Sequence, residues 1–368
     1  MAASGENWRP ACSLAMLRLR ALAYSTIRRV FAEAGYLEVE TPLLSTDVVV
    51  DAHLEPFRLP SQPAVFLQTS PEAGMKRLLA AGCGSIFQLG KAFRQGEAGE
   101  RHNPEFTMLE WYGVGTTWRD QLTFIERLIR ELHAAFAQSL AAMAAPAHPP
   151  ANRHPPASHH PPAAQPAAGW QTTAGLQTAP LPPSAFVATD YAGVFRRSLD
   201  VDVLTMSLSD LQQLAADRSS LGESARKVED RDDLLNLLLA ECIEPALGIA
   251  GPEFVHDYPL SQAALAEQNP RQPQTALRFE LYWNGLELCN GYQELCDPDE
   301  LRRRDAAQNA VRQSHRSETL PGAPRMMAAM QAGLPPSAGV ALGFDRLLMA
   351  LLGLSRIADV VPFPMDRA

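Results

Sequence analysis

The feature that most constrains this chain is the stretch 86–112, where two segments of period-two character, 86–94 and 106–112, flank a polar, glycine-containing loop. That pattern predicts an antiparallel hairpin with a long, chemically loaded connection. In the first strand Ile86, Gln88, Gly90, Ala92 and Arg94 share a face, so small side chains leave room above the sheet and the row ends in a guanidinium. In the second, Phe106, Met108, Glu110 and Tyr112 set an aromatic plane, a carboxylate and a phenol in one line. Between the strands Arg101, His102 and Asn103 supply the cationic and hydrogen-bonding groups that a polyphosphate needs. A half-buried hairpin with a solvated loop would carry the same pattern, so other stretches decide between the two.

Asn284-Gly285 lies between apolar-alternating runs and is a strong two-residue hairpin signal. With that turn, Trp283 faces Leu286 and Tyr282 faces Glu287, so Glu280 and Glu287 lie diagonally on one face. Two carboxylates so placed repel unless a cation lies between them, and hard oxygen ligands of this kind suit magnesium. Strict alternation beyond the turn would send Asn290, Tyr292 and Glu294 to the opposite face from Glu287.

At 368 residues the chain has room for one large domain or two ordinary ones. Its net charge of -9 gives no general attraction to nucleic acid, although a local basic patch remains open. Cys12, Cys83, Cys242, Cys289 and Cys296 show no paired spacing, which points to a reduced, cytosolic setting without zinc. The N-terminus has no apolar signal core, and the densest apolar run, 347–354, falls far below the roughly 20 residues that span a bilayer.

Residues 14–34 read as a helix, with Ile27, Val30, Phe31 and Ala34 on one stripe and Gly35 placed to stop it. Leu37 and Val39 then alternate with Glu38 and Glu40 before Thr41-Pro42, as in an edge strand. Ser70-Pro71-Glu72 opens a further helix with Ser as N-cap and Pro at the first turn. Capping and the helix dipole explain Glu72 without any function. Leu122, Ile125, Leu128, Ile129, Leu132 and Phe136 mark an amphipathic helix that runs into a Pro/Ala/His-rich tract at 141–185. So much Pro with so little bulky apolar content predicts a disordered or polyproline-like surface loop. Its histidines, His148, His154, His159 and His160, have no evident partners and receive no metal role. Residues 208–216 and 233–242 read as helices, 254–258 as a strand, and 297–316 as a helix with a solvated, charged face. In the last motif Phe344, Leu347, Leu348, Leu351 and Leu352 form an apolar stripe with Arg346 off it in the first turn. A cation there opposes the helix dipole, which an anionic partner would explain.

Phe93-Arg94 together with residues 101–110, Arg-His-Asn-Pro-Glu-Phe-Thr-Met-Leu-Glu, strongly resemble motif 2 of the class II lysyl-tRNA synthetases. Residues 339–346, Gly-Val-Ala-Leu-Gly-Phe-Asp-Arg, resemble motif 3, and the helix, strand and Pro ending at Pro42 resemble motif 1. The likeness is greatest to the short branch of the family that ligates β-lysine to elongation factor P, and it spans nearly the whole chain outside 141–185. It implies an α+β fold, the class II catalytic domain with a mostly antiparallel sheet flanked by helices, over 1–368 and interrupted by the insert. It also implies a cytoplasmic homodimer formed through motif 1, with ATP and Mg2+ as cofactors.

By the same resemblance, Arg94 and Arg346 hold phosphate and carboxylate oxygens and carry catalysis. His102, Asn103 and Glu97 contact ATP, Phe106 stacks on adenine, and Glu280 with Glu287 hold magnesium on the phosphates. Glu110, Tyr112 and Glu294 would take the ε-ammonium of the substrate. Glu72 would take its α- or β-amino group, Asn290 would help hold its carboxylate, and Ser70 and Tyr292 would also bind the substrate. Because the resemblance puts Asn290, Tyr292, Glu294 and Glu287 together, a β-bulge is expected between 288 and 291.

The family reads Phe-Arg-x-Glu in motif 2, whereas here Phe93-Arg94-Gln95 is followed by Gly96, with Glu97 one place later. Either Glu97 takes over the adenine contact through a shifted loop or that contact is weakened. Motif 1 begins near the start of the chain, so no anticodon-binding barrel is expected. Ala341 stands where the tRNA-charging enzymes have Gly, and an added methyl shifts substrate preference by roughly 1 to 3 kcal/mol. The expected substrate is therefore (R)-β-lysine and the expected acceptor a lysine of elongation factor P. The alternatives are a truncated lysyl-tRNA synthetase-type enzyme activating lysine, and a non-catalytic paralogue that senses lysine or its adenylate.

Overall fold

A computed structural model of the chain describes residues 8–144 and 176–368. Helix α1, Leu14–Glu33, starts where the Ser13 hydroxyl accepts from Met16 N at 3.2 Å, and it ends ahead of Gly35, whose φ of 79° no bulky residue would tolerate. Strand β1, Leu37–Glu38, follows, then β2, Leu44–Ser45, β3, Arg58–Leu59, and β4, Val65–Leu67. Helix α2, Glu72–Ala80, has Pro71 rather than Ser70 at its cap; the Ser70 hydroxyl still accepts from Glu72 N at 3.3 Å. The first predicted hairpin is β5, Ile86–Phe93, paired with β6, Glu105–Val114, in an antiparallel register that sets Gln88 opposite Glu110 and Ala92 opposite Phe106.

Helix α3, Trp118–Ala144, outlasts its apolar stripe and takes in residues 141–144, which composition assigned to the insert. Residues 176–185 at the insert's far end form no helix or strand, yet they pack on the core. Ala179 N donates to Leu351 O, and Arg130 donates to the carbonyls of Pro182 and Ser184. Main-chain hydrogen bonds hold this edge, and composition does not register them. The rest of the insert, with its four histidines, lies outside the described residues.

Then come β7, Val187–Asp190, and the helices α4, Tyr191–Leu199, α5, Leu208–Arg218, and α6, Arg231–Leu238. Strand β8, Glu253–Pro259, precedes the second predicted hairpin, β9, Thr275–Trp283, and β10, Leu286–Gln293. Asn284 and Gly285 both adopt positive φ, 54° and 66°, as a tight two-residue turn requires. Helix α7, Pro298–Ser314, is largely solvated as expected, except that Arg312 is buried and ties Glu55 and the carbonyls of Asp51, Leu54 and Glu318. Helix α8, Pro324–Gly333, strand β11, Ser337–Gly343, and helix α9, Phe344–Leu352, complete the order.

The large sheet has the order β1-β5-β6-β11-β10-β9-β8-β7, parallel only at its two edges, and a small sheet has the order β2-β4-β3. The architecture is α+β. One face of the large sheet, with Phe87, Leu109, Trp111, Phe279, Leu281 and Val340, is sealed by α1, α3 and α9 in the main core. The other face carries polar side chains.

A buried ion pair fastens α1 to both sheet and C-terminal helix. Arg20 Nη1 meets Asp345 Oδ1 at 2.6 Å and Arg20 Nη2 donates to Thr107 Oγ1 at 2.8 Å, while Asp345 Oδ2 accepts from Thr107 N at 2.7 Å. Removing one partner of such a pair strands a buried charge. Arg20→Met is therefore expected to cost about 3–5 kcal/mol in urea unfolding, and a loss under 1 kcal/mol would show the brace to be dispensable.

Candidate active site

Across the sheet's open face the register aligns two rows of side chains. One runs Gln88, Glu110, Ala341, Asn290, Glu280; the next runs Ile86, Tyr112, Gly339, Tyr292, Arg278. The rows continue through β10 because its pairing with β9 shifts between Glu287 and Cys289, leaving Leu288 as an extra residue. The bulge falls in the expected stretch and returns Asn290 and Tyr292 to the face that Glu287 and Glu280 occupy.

At one end of this face the cations gather. The Arg94 guanidinium lies 5.1 Å from the centre of the Phe106 ring, and its Nε is buried without a partner. Glu97 Oε1 is 3.5 Å from Arg94 Nη1, reached through Gly96 at φ 84°. Arg346 donates from Nη1 to the Glu287 carbonyl at 3.1 Å and from Nη2 to the ring nitrogen Nε2 of His102. Burial first, then the charges of Arg346 and Arg94, hold His102 below the usual imidazole range, so it accepts from Arg346 as the neutral ring. Asn103 stands apart from this cluster. Its amide donates to Glu105 O at 2.6 Å and accepts from Met365 N at 2.9 Å, bracing the loop against the C-terminal segment.

Beside the cations stand three carboxylates. Glu280 accepts from the Tyr258 and Tyr282 hydroxyls at 2.6 Å each and pairs with Arg278. Glu287, 3.7 Å from Arg346 Nη1, is raised above the usual carboxylate range by burial and by Glu280. Glu244, just before Pro245, is pushed up to about 7 by burial, then by Glu287 and Glu280. Among the described residues no cluster of three or more metal-type ligands is preformed. Even so, carboxylates whose mutual repulsion resists ionisation fit a divalent ion that brings phosphate and water as its other ligands.

The opposite end is acidic and deeply buried. Glu110 is 2 % exposed, accepts from Tyr112 Oη at 2.7 Å through Oε1, and keeps Oε2 without a donor. Burial, then Glu72, raises it well above the usual carboxylate range. Lys76 Nζ lies 2.7 Å from both Glu72 Oε1 and Glu294 Oε2. Burial alone would pull this ammonium down, but Glu294 and then Glu72 outweigh it and leave Lys76 above the usual lysine range. A side chain at Gly339 would collide with the Glu294 carboxylate and the Tyr112 ring, so glycine sets the depth of the cleft.

The structure thus draws Glu72, Glu110, Tyr112, Asn290, Tyr292, Glu294 and Ala341 toward one end of the face, with Ser70 at the start of α2. It draws Arg94, Glu97, His102, Phe106, Glu280, Glu287 and Arg346 toward the other. Lys76, Glu244 and Arg278 are ionisable groups of the site that the sequence did not single out. Lys76 had a signal, since it shares the buried stripe of α2 with Ala73, Met75 and Leu79 and stands four residues from Glu72. Glu244 lies in a short irregular turn and had none.

Comparison with known proteins identifies the family. Residues 7–367 match the family model described as tRNA synthetases class II (D, K and N). Proteins named elongation factor P (R)-β-lysine ligase are similar over nearly their whole length. The one from Vibrio cholerae is 40% identical, covering 99% of this chain and 100% of the relative. Those from Proteus mirabilis and Haemophilus influenzae are each 38% identical, covering 98% and 99% of both chains respectively. The chain belongs to the class II tRNA synthetase family of the D, K and N type.

Proposed function

We propose that this chain is an ATP-dependent ligase that activates (R)-β-lysine as its adenylate and transfers it to the ε-amine of a lysine on elongation factor P. The observation that carries the reading is the charge balance of the buried end. Three carboxylates, Glu72, Glu110 and Glu294, face one ammonium, Lys76, which leaves a deficit that the two ammonium groups of a diamino acid would fill. A monoamino substrate would leave a buried acid unpaired. The names of the relatives support the β-amino acid and the protein acceptor.

In this reading Arg94 and Arg346 orient the α-phosphate and neutralise the charge that builds as the substrate carboxylate attacks it in line and pyrophosphate leaves. His102 and Glu97 steady the nucleotide, whose adenine stacks on Phe106. Glu280 and Glu287 would hold Mg2+, which supplies charge neutralisation on the phosphates when bound. The acceptor amine then attacks the activated carbonyl, and AMP leaves with the bonding electrons. Glu72 and Ser70 receive the β-amino group, and Glu110, Tyr112 and Glu294 the terminal one. Asn290 and Tyr292 flank the substrate, and Ala341 crowds an α-amino acid. Asn103 serves ATP only through the loop it braces. The exposed Leu37, Leu43 and Leu44 on and just after the motif 1 strand support a homodimer through that segment. No helix among the described residues is long and apolar enough to cross a membrane, in keeping with a cytoplasmic enzyme.

The test is ATP-pyrophosphate exchange with (R)-β-lysine and α-lysine, followed by transfer to elongation factor P. Exchange with β-lysine and modification of the factor are expected; charging of tRNA with no modification of the factor would reject the proposal. Lys76→Met strands Glu72 and Glu294, so it should cost about 3–5 kcal/mol of stability. Since burial already raises Glu294, the variant should lose further stability as pH climbs from about 5 to 8, where the unfolded carboxylate is ionised and the folded one resists. An unchanged denaturation midpoint across that range would refute the role of Lys76. Ala341, opposite both Glu110 and Asn290, sets the fit. Ala341→Gly should move the ratio of kcat/KM for β- over α-lysine about tenfold toward α-lysine, read from the same exchange assay.

A further inference from the structure

Gln88 has no part in the scheme above, yet it lies on the pocket face of β5, 5 % exposed and directly opposite Glu110. Its Oε1 is buried without a donor, and so are Glu110 Oε2 beside it and Asn290 Oδ1 farther along the same row. Each such orphan costs about 1–3 kcal/mol, so three in one row are a poor device for stability. What would satisfy them is a group rich in N–H donors and carrying positive charge. An ammonium has three donors and no acceptor. Lys76 cannot serve, because its ammonium is held between Glu72 and Glu294.

We infer that Gln88 Oε1 and Glu110 Oε2 form two sides of one cradle that takes the terminal ammonium of the diamino acid, which makes Gln88 a specificity-determining contact. The inference rests on the proposed substrate class. Distance along the strand selects which ammonium: Glu110 stands four residues from Phe106, about 13 Å at the rise of a β-strand, so the Gln88–Glu110 end of the row lies away from Phe106 and the nucleotide. Charge explains why the residue is an amide. A second carboxylate opposite Glu110 would repel it, whereas an amide adds an acceptor and leaves one negative charge for one ammonium. Gly90 gives the amide its room, since a Cβ there would stand 3.3 Å from Gln88 Nε2.

The experiment is ATP-pyrophosphate exchange by the full chain and its near-isosteric variant Gln88→Met. The variant should raise KM for (R)-β-lysine at least about tenfold, the loss of one charge-assisted hydrogen bond, with KM for ATP unchanged within about twofold. With a β-amino acid lacking the terminal amine, a weak substrate, the variant and parent should not differ. An unchanged KM for β-lysine in a folded variant overturns the inference, as does an equal penalty on both amino acids. Should Gln88→Met fail to fold, a crystal structure of the parent with β-lysine decides: a terminal nitrogen within about 3.2 Å of Oε1 upholds the contact, and one beyond about 4 Å removes it. If the parent exchanges with no diamino acid at all, the functional proposal fails and this inference, which rests on it, falls with it; a parent that exchanges beside a variant with unchanged KM overturns the inference alone.

Discussion

One extra residue in strand β10 decides what this sheet can do. Period-two geometry would set Glu287 and Asn290 on opposite faces, one toward the pocket and the other toward the helices. The bulge at Leu288 returns both to the same face, with Leu288 itself buried in the main core so that its apolar contacts offset part of the broken ladder. Its backbone is also used: the carbonyl of Glu287, at the edge of the bulge, accepts from Arg346. The irregularity that aligns the acidic row thereby also fixes a guanidinium from α9.

Arg94, Arg346 and a neutral histidine collect at the Phe106 end beside Glu280 and Glu287, whereas the carboxylates around Lys76 collect at the far end, where the small residues Ala341 and Gly339 leave room. The Arg20–Asp345–Thr107 brace steadies the cationic end, because Asp345 is the sequence neighbour of Arg346 and Thr107 follows Phe106 directly. This brace lies on the core side of the sheet but fixes the backbone that carries Phe106 and Arg346. A net charge of -9 therefore says little about the site, whose local balance differs from end to end.

Both hairpins were legible because period two and the Asn-Gly turn are local signals. The bulge was not legible from alternation alone; it followed only from the family resemblance, which puts Glu287, Asn290, Tyr292 and Glu294 in one pocket. The Asn103 amide also accepts from Met365 N, at the other end of the chain, a bond that no local pattern reports. Arg312 was read as solvated for the same reason, since its acceptors lie on the 51–55 loop as well as on Glu318. Residues 176–185 lack periodicity altogether, and their packing runs through main-chain groups that every sequence possesses.

The buried end can discriminate because the folded chain leaves it incomplete. Acceptors at Gln88, Glu110 and Asn290 have no donors of their own, and burial raises the Glu110 carboxyl against ionisation. A ligand that brings an ammonium to the shared Gln88–Glu110 cradle relieves both penalties there at once, whereas a ligand lacking that amine leaves a desolvated acid facing methylene. Discrimination of that kind exceeds what an apolar pocket achieves over one missing group, because the unpaired partner is a charge and not merely a void. The instability built into this row is therefore the source of its selectivity.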